Sequence, residues 1–275
     1  MSLKKVRVGG VPEHFNLPWL LAIEEAAFAD LGVEVEWIDF PGGTGAIMAA
    51  LESGEVDMAT PLTEGAVTAI ANGNASELVS IWVDSPLLWG VHVAGQSNAD
   101  DIADVEGQRF AISRFGSGSE LMSRVMAQDN DWTLTDESWV PVGNLDGALA
   151  ALPSGEAEVF LWNMSMTQPH VTDGTFKRIG VMPTPWPSFA VVASSTFLSE
   201  QPGLAASISE VARARANALE LDESLGQFVV DRYDLELDSA LDWVAQVDWT
   251  RPDAPIEQTM IDAVTERMKS VGRIS

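Results

Sequence analysis

The sequence predicts an α/β protein of two lobes, each a mostly parallel sheet flanked by helices. Strands and helices alternate along most of the chain, which is the pattern of parallel α/β sheets. Two segments, Ala46–Met58 and Gly147–Phe160, are near-copies of one helix–turn–strand unit. The length of 275 residues suits two lobes of ordinary size better than one large domain.

The first lobe begins with alternating apolar residues that end at a Gly-Gly-Val-Pro turn. Pro18 suits the first turn of a helix, and glycines at 32 and 54 suit helix ends. Strands are predicted at Lys5–Val11, Val33–Phe40, Val56–Ala59 and Leu78–Val83, and helices at Leu17–Leu31, Ala46–Glu52 and Leu62–Ala71.

The second lobe begins at Leu87–Val93, which is interpreted as the first crossing between lobes, and ends where Phe189–Ala193 returns. Its predicted strands are Arg109–Ser113, Ser138–Val142, Ala157–Leu161 and Lys177–Val181, and its predicted helices are Ser117–Asp129 and Leu145–Leu152. The tail is predicted to be helical at Leu204–Leu221, Glu223–Asp231, Ser239–Val247 and Ile256–Val271. Lobe I therefore comprises residues 1–88 plus 190–275, and lobe II comprises residues 89–189.

Within the two similar segments, Ala46–Asp57 aligns without gaps with Gly147–Glu158 at a constant offset of 101 positions. They share the sequence Ala-Ala-Leu-x-Ser-Gly-Glu, which alone is also a common helix end. A period near 100 is too long for a solenoid repeat and suits two related lobes. The matched place of both copies in a strand–helix series favours pseudo-symmetric lobes.

The composition excludes several classes of function. With 41 acidic and 15 basic side chains the formal net charge is −26, which repels nucleic acids and anionic membranes. The absence of cysteine excludes disulfides and thiolate chemistry, and three histidines make a histidine metal site improbable. The start lacks a signal-peptide core, so a cytoplasmic protein is expected if the sequence is complete, and a periplasmic or extracellular one if a signal was removed. The acidic, lysine-poor surface also suits a protein that works at high salt.

A stretch that begins with Gly42-Gly43-Thr44-Gly45 and ends with Ser-Gly-Glu-Val-Asp-Met-Ala resembles the signature of type II periplasmic solute-binding proteins. The branch it resembles most binds nitrate, sulfonates, taurine or thiamine precursors for ABC importers. A bacterial and fungal branch of this family, which lacks an export signal and has no settled ligand, is resembled most by three segments: Val11–Phe15, Thr63–Gly65 and Ser113–Ser119. The resemblance covers roughly residues 6–193.

The resemblance implies a type II periplasmic-binding-protein fold with two crossover strands. It also implies a cleft between the lobes that closes over a small organic ligand by hinge motion. The implied partner is an ABC transporter permease, or none if the protein is an intracellular sensor, and a monomer is expected. One relative in this fold group makes the thiamine pyrimidine with a cysteine cluster, which this sequence lacks.

The candidate ligand-binding residues of the first lobe follow predicted strands, where ligands gather in open α/β sheets. Gly43 and Thr44 start a helix and offer backbone amides to an anionic or carbonyl oxygen, although Thr44 can equally be a helix cap. Thr63 and Glu64 start another helix, where Glu64 is a dipole partner or an acceptor for a cationic or amidic ligand. Glu13 and His14 are candidates for ligand contact or a weak acid–base pair.

The second lobe offers a donor-rich turn at a helix start. Its candidate ligand-binding residues are Ser113, Arg114, Gly116, Ser117 and Ser119. Arg114 suits a carboxylate, sulfonate or phosphate, or it answers a surface acid. Gly143–Asn144 precedes the repeated helix of this lobe and is expected to face the same cleft.

Three tryptophans are candidates for an aromatic wall against a flat ligand, with core packing as the alternative for each. They are Trp89, Trp162 and Trp186.

These residues predict a solute-binding protein whose ligand combines donor and anionic groups, such as a zwitterion or an acid-bearing heterocycle. An enzyme on the same scaffold, a lyase or synthase with Glu13, His14 and Glu64 as acid and base, is the alternative. A regulator's effector domain is disfavoured because no DNA-binding helix pair is recognisable. No cofactor, catalytic or metal motif stands out.

Overall fold

A computed structural model describes residues 3–233 and 235–275 of the chain. The chain packs into two compact units, which divide at Pro86/Leu87 and at Pro185/Trp186. Unit 1 comprises Met1–Pro86 and Trp186–Ser275, and unit 2 comprises Leu87–Pro185.

In the described part of unit 1, the strands are β1 (Lys4–Gly10), β2 (Val33–Asp39), β3 (Met58–Thr60), β4 (Ser76–Val83) and, after unit 2, β10 (Phe189–Ser194). Its helices are α1 (Leu17–Glu24), α2 (Thr44–Ser53), α3 (Thr63–Ala71), α7 (Ser195–Glu200), α8 (Leu204–Glu220), α9 (Leu225–Tyr233), α10 (Leu237–Val244) and α11 (Gln258–Ser270).

In unit 2 the strands are β5 (Leu88–Ala94), β6 (Phe110–Ile112), β7 (Trp139–Pro141), β8 (Val159–Asn163) and β9 (Phe176–Pro183). Its helices are α4 (Gly118–Asp129), α5 (Leu145–Ser154) and α6 (Met164–Thr172).

The two sheets have the same topology, with strand orders β2-β1-β3-β10-β4 and β7-β6-β8-β5-β9. In each sheet the strand that enters from the other unit, β10 or β5, pairs antiparallel with both neighbours, while the central pairs are parallel. Four strands of each sheet therefore run in one direction. The predicted fold class is confirmed.

The repeated segments form the same helix end in both units. Gly54 and Gly155 adopt left-handed conformations at φ 73°, ψ 21° and φ 72°, ψ 20°. Ser53 and Ser154 donate their hydroxyls to carbonyls of the preceding turn. A positive φ favours glycine, so the shared glycine suits the conformation of both turns, and the shared serine adds a hydrogen bond to each.

An arginine–carboxylate pair closes the start of each sheet at matching places. The Asp57 amide donates to the Arg7 carbonyl, and the Arg7 amide donates to the Asp57 carboxylate. The Arg7 guanidinium donates to both oxygens of that carboxylate. Arg109 and Glu158 form the same arrangement in unit 2. Asp57 and Glu158 occupy equivalent positions of the two similar segments, 101 positions apart, so the sequence similarity corresponds to a structural one.

The cores lie between the sheets and their flanking helices. In unit 1, Ile47 and Leu51 of α2 are buried with Phe40 and Val192. In unit 2 the corresponding cluster joins residues of α5 to the sheet. Their members include Ala148, Leu152, Phe160 and Phe176.

Three helices differ from the sequence prediction. The predicted helix Leu17–Leu31 ends at Glu24, because Ala26 takes a left-handed conformation (φ 53°) and its successor bonds back to the Ala22 carbonyl. A helix end marked by alanine rather than glycine gives no sequence signal. Helices α6 and α7 were not predicted, since α6 contains Pro169 and α7 is a six-residue helix that begins in a serine- and threonine-rich segment.

Candidate functional site

In unit 1 the structure brings together the two helix starts that the sequence singled out. Gly43 is the N-cap of α2, with φ 70°, and Thr44 is the first helical residue rather than a cap. Thr44 Oγ1 accepts a hydrogen bond from the backbone amide of Leu62 at 3.0 Å. A Cβ built on Gly65 would lie 2.3 Å from Thr44 Cγ2, so only glycine permits this contact. The starts of α2 and α3 therefore form one surface.

Glu64 lies in the first turn of α3 and is 1% exposed. Its Oε2 accepts a hydrogen bond from Trp186 Nε1 at 2.8 Å, whereas its Oε1 has no partner. The neighbouring Thr63 is also buried, and its Oγ1 has no partner. Burial raises the pKa of the Glu64 carboxyl to about 7, against the smaller opposing effects of its hydrogen bonds. Trp186 is thus a polar partner of Glu64 and not only a packing residue.

His14 is fully buried and does not form the acid–base pair with Glu13 that one alternative required. Both ring nitrogens of His14 have no hydrogen-bond partner. Its ring stacks on Phe15 at 5.0 Å between centroids, and burial lowers its pKa to about 3. His14 is therefore neutral near pH 7. Glu13, at the start of the following 3-10 turn, is half-buried.

The C-terminal helices supply two polar aromatic residues to this place, which the sequence analysis missed. Trp243 of α10 contacts the His14 ring edge-on at 4.4 Å between centroids, and Tyr233 of α9 lies at 5.9 Å. Trp243 Nε1 and Tyr233 Oη are buried without partners. Because they follow His14 by more than 200 positions, no local pattern could have placed them there.

In unit 2 the turn before α4 is held together by serine hydroxyls. Ser119 Oγ accepts a hydrogen bond from the Ser113 amide at 3.0 Å and lies 3.0 Å from Ser117 Oγ. Ser117 is the N-cap of α4 and accepts from the amide of Glu120. Ser117 and Ser119 therefore form the turn itself, and their buried hydroxyls are committed to it.

The carboxylate of Glu120 folds back over the same turn, which the sequence analysis did not anticipate. Its Oε2 accepts from the amide of Gly116 at 2.6 Å, and its Oε1 accepts from Arg124 Nε at 2.9 Å. The amide of Gly116 is consequently engaged by Glu120 within the turn. The first helical amides of α4, at Gly118 and Ser119, are those that lack intrahelical acceptors.

Arg114 projects from this turn as a half-buried side chain. Its guanidinium has no hydrogen bond or ion pair with the residues that the structure describes, although the chain carries 41 acidic side chains. The structure therefore does not show the alternative in which Arg114 forms an ion pair with a surface carboxylate. Phe115 beside it is 61% exposed.

The carboxyl ends of β6, β7 and β8 place three further groups near this turn. The amide of Gly143 donates to the Ser113 carbonyl at 3.0 Å. Asn144 caps α5 by accepting from the Gly147 amide at 3.0 Å, and Asn163 caps α6 in the same way through the Ser165 amide. The predicted Gly143–Asn144 loop therefore lies at the same edge of the sheet as the Ser113–Ser119 turn.

The remaining two tryptophans differ in their surroundings. Trp89 pairs with Asn163 across the sheet and is buried, and its Nε1 has no partner. Trp162 stacks on Phe160 with centroids 5.1 Å apart and packs against the core of unit 2. Trp162 thus has the core environment that was its alternative interpretation.

Residues 3–233 and 235–275 contain no cluster of three or more histidine, aspartate or glutamate side chains arranged to hold a metal ion. Over the same residues, none of the helices is both long and apolar enough to cross a membrane.

The fold and these two helix-start sites define the class: the chain has the periplasmic-binding-protein fold. The CA3427 gene product of Candida albicans, which exhibits the generic periplasmic-binding-protein fold, is 25% identical with a TM-score of 0.89, over 98% of this chain and 90% of that one. Within this class, residues 89–182 match the family model of Ca3427-like periplasmic binding proteins.

Sulfonate-binding proteins of importers share the fold. The alkanesulfonate-binding protein SsuA from Xanthomonas axonopodis pv. citri, bound to MOPS, has a TM-score of 0.81 at 16% identity, over 100% of this chain and 95% of that one. A periplasmic sulfonate-binding SsuA from Methylobacillus flagellatus KT has a TM-score of 0.74 at 20% identity, over 98% and 88% of the two chains. No curated protein matches the sequence.

Proposed function

We propose that this chain is a solute-binding protein that closes over a small organic ligand bearing an acid group, for ABC-type import or for sensing inside the cell. The observation that carries the proposal is the unpaired guanidinium of Arg114 in the described structure. Arg114 is a half-buried residue, and its guanidinium has no partner among the described residues of a chain whose net charge is −26. In such a chain a cation left without an acid is available to an anionic ligand.

The chemistry around Arg114 suits a carboxylate or sulfonate. A guanidinium binds two oxygens of such a group at once through its planar fork. The first-turn amides of α4, at Gly118 and Ser119, add donors and the positive end of the helix dipole. These groups belong to a turn that Ser113, Ser117 and Ser119 hold rigid, which lowers the cost of ordering the site on binding.

The comparisons support the same class of function. Two of the similar structures are sulfonate-binding proteins of importers, and one of them holds MOPS, which is itself a sulfonate. An acid-bearing ligand for this chain agrees with both Arg114 and those relatives.

The first experiment is native mass spectrometry of freshly purified protein, followed by small-angle X-ray scattering with the ligand removed and restored. We expect an acidic small molecule to be retained and the radius of gyration to fall when it is added back, without turnover. Arg114→Gln should abolish retention and leave the melting temperature of the ligand-free protein unchanged, since bound ligand itself stabilises the folded state. Arg251→Gln, which removes an exposed arginine elsewhere, is the matched control.

Two results would contradict the proposal. If Arg114→Gln weakens binding and also lowers the melting temperature of the ligand-free protein, Arg114 is a structural residue. If the ligand is converted to a product, the chain is an enzyme and not a binding protein.

A further inference from the structure

Glu64 stands out in unit 1 as a buried carboxylate whose hydrogen bonding is half complete. Trp186 Nε1 donates to Oε2 at 2.8 Å, and nothing in the described structure donates to Oε1. A buried carboxylate oxygen without a donor is costly, because the group has lost its water and gained no replacement. Such a group in a native fold calls for an explanation.

The surroundings of Glu64 contain no compensating positive charge. No Arg or Lys of the described structure forms an ion pair with it, and no cation contributes to its pKa shift. The adjacent Thr63 Oγ1 is buried and also lacks a partner. The start of α3 therefore presents two unsatisfied polar side chains on consecutive residues, beside the start of α2 at Thr44.

We propose that Glu64 is a specificity-determining residue and that the ligand presents an ammonium or other N–H donor to its Oε1. This inference rests on the proposed function and narrows it, because the ligand then carries a donor group as well as an acid group. An alkanesulfonate without nitrogen offers no donor to Glu64.

Trp186 provides a spectroscopic readout for this subsite. It is the first residue of the segment that returns to unit 1 after Pro185, and its indole is held by Glu64. A donor that binds Glu64 changes the charge and hydrogen bonding beside this indole. Ligand binding should therefore change the fluorescence of Trp186, and the change should be absent in Trp186→Phe.

The test uses matched pairs of small acids that differ only in an amine: taurine against ethanesulfonate, 3-aminopropanesulfonate against propanesulfonate, and β-alanine against propionate. Each is titrated at up to millimolar concentration into ligand-free full-length protein by calorimetry, with tryptophan fluorescence in parallel. We expect the amine-bearing member of at least one pair to bind roughly tenfold or more tightly than its partner, as a charged hydrogen bond implies.

Variants separate the role of Glu64 in recognition from a role in structure. Glu64→Gln should remove the preference for the amine, Glu64→Asp should restore part of it, and Glu77→Gln, an exposed carboxylate of β4, should leave it unchanged. Equal affinity within every pair, or a preference that survives in Glu64→Gln, overturns the donor assignment and leaves solute binding standing. Binding of no member of any pair overturns both this inference and the proposal of an acid-bearing solute.

Discussion

The buried carboxyl of Glu64 should make unit 1 less stable as the pH rises. The pKa of this carboxyl is about 7 in the folded protein and 4.5 when it is unperturbed. Between these values the folded state holds the proton more tightly than the unfolded state, so the free energy of unfolding falls with rising pH. The gap of 2.5 pKa units corresponds to about 3 kcal/mol of destabilisation, which is fully present above pH 7 and absent below pH 4.5.

Glu64→Gln removes this titration and keeps the shape of the side chain. The variant should gain stability relative to the wild type by about 2.5 kcal/mol more at pH 8 than at pH 5, since the penalty is only partly present at pH 5. A fixed cost from the new amide affects both pH values equally and cancels in the comparison.

The assay is urea unfolding at the two pH values in moderate salt, followed by far-ultraviolet circular dichroism. Hydrogen exchange of peptides from α3 assigns the transition to unit 1. Glu77→Gln removes one exposed charge in the same unit and should show no such pH dependence. A variant whose stability relative to the wild type is the same at pH 5 and pH 8 would refute the reasoning.

Four further outcomes follow from the structure. His14→Phe should keep the ring packing and remove a histidine whose pKa burial lowers from 6.5 to about 3. Because the unfolded state binds this proton first, the free energy of unfolding of the wild type should fall by about 4 kcal/mol more than that of the variant between pH 6.5 and pH 3. Urea titrations measure this difference. Thr44→Val leaves the Leu62 amide without its acceptor, so the free energy of unfolding should fall by about 1 kcal/mol in chemical denaturation and ligand affinity should fall modestly. If neither value changes, another acceptor takes the place of Thr44. Asp57→Asn removes the charge of the partly exposed pair with Arg7 and should lower the free energy of unfolding by about 1 kcal/mol, with a smaller effect in molar salt. An effect that salt does not reduce would contradict an ionic origin. Arg114→Ala should abolish ligand binding in calorimetry at an unchanged melting temperature, and retained binding would remove Arg114 from the site.

Much of the fold could be predicted because its signals are local. Gly32, Gly54 and Gly155 mark element ends, and each of them adopts a left-handed conformation that favours glycine. Alternation of apolar residues predicted strands such as β2, and only their end residues shifted. The end of α1 at Glu24 was missed, since a left-handed Ala26 leaves no local signal.

The candidate site was predictable as a set of loops and not as a set of contacts. The sequence placed Thr44 and Glu64 after strands, yet their neighbours are fixed by tertiary packing. The bond between Glu64 and Trp186 spans 122 positions, and Tyr233 reaches His14 from the C-terminal helices. Glu120 shows the same limit at short range, because a carboxylate that bonds back to Gly116 looks like any helix-start acid in the sequence.

The position of β10 has a consequence for the order in which the chain can fold during synthesis. β10 lies between β3 and β4 in the first sheet, but it follows the whole of unit 2 in the chain. Leu87–Pro185 is continuous and can complete its sheet as soon as it leaves the ribosome, whereas β4 has no neighbour in its sheet until Phe189–Ser194 is made. The edge of β3 that pairs with β10 therefore stays unpaired until unit 2 has been translated.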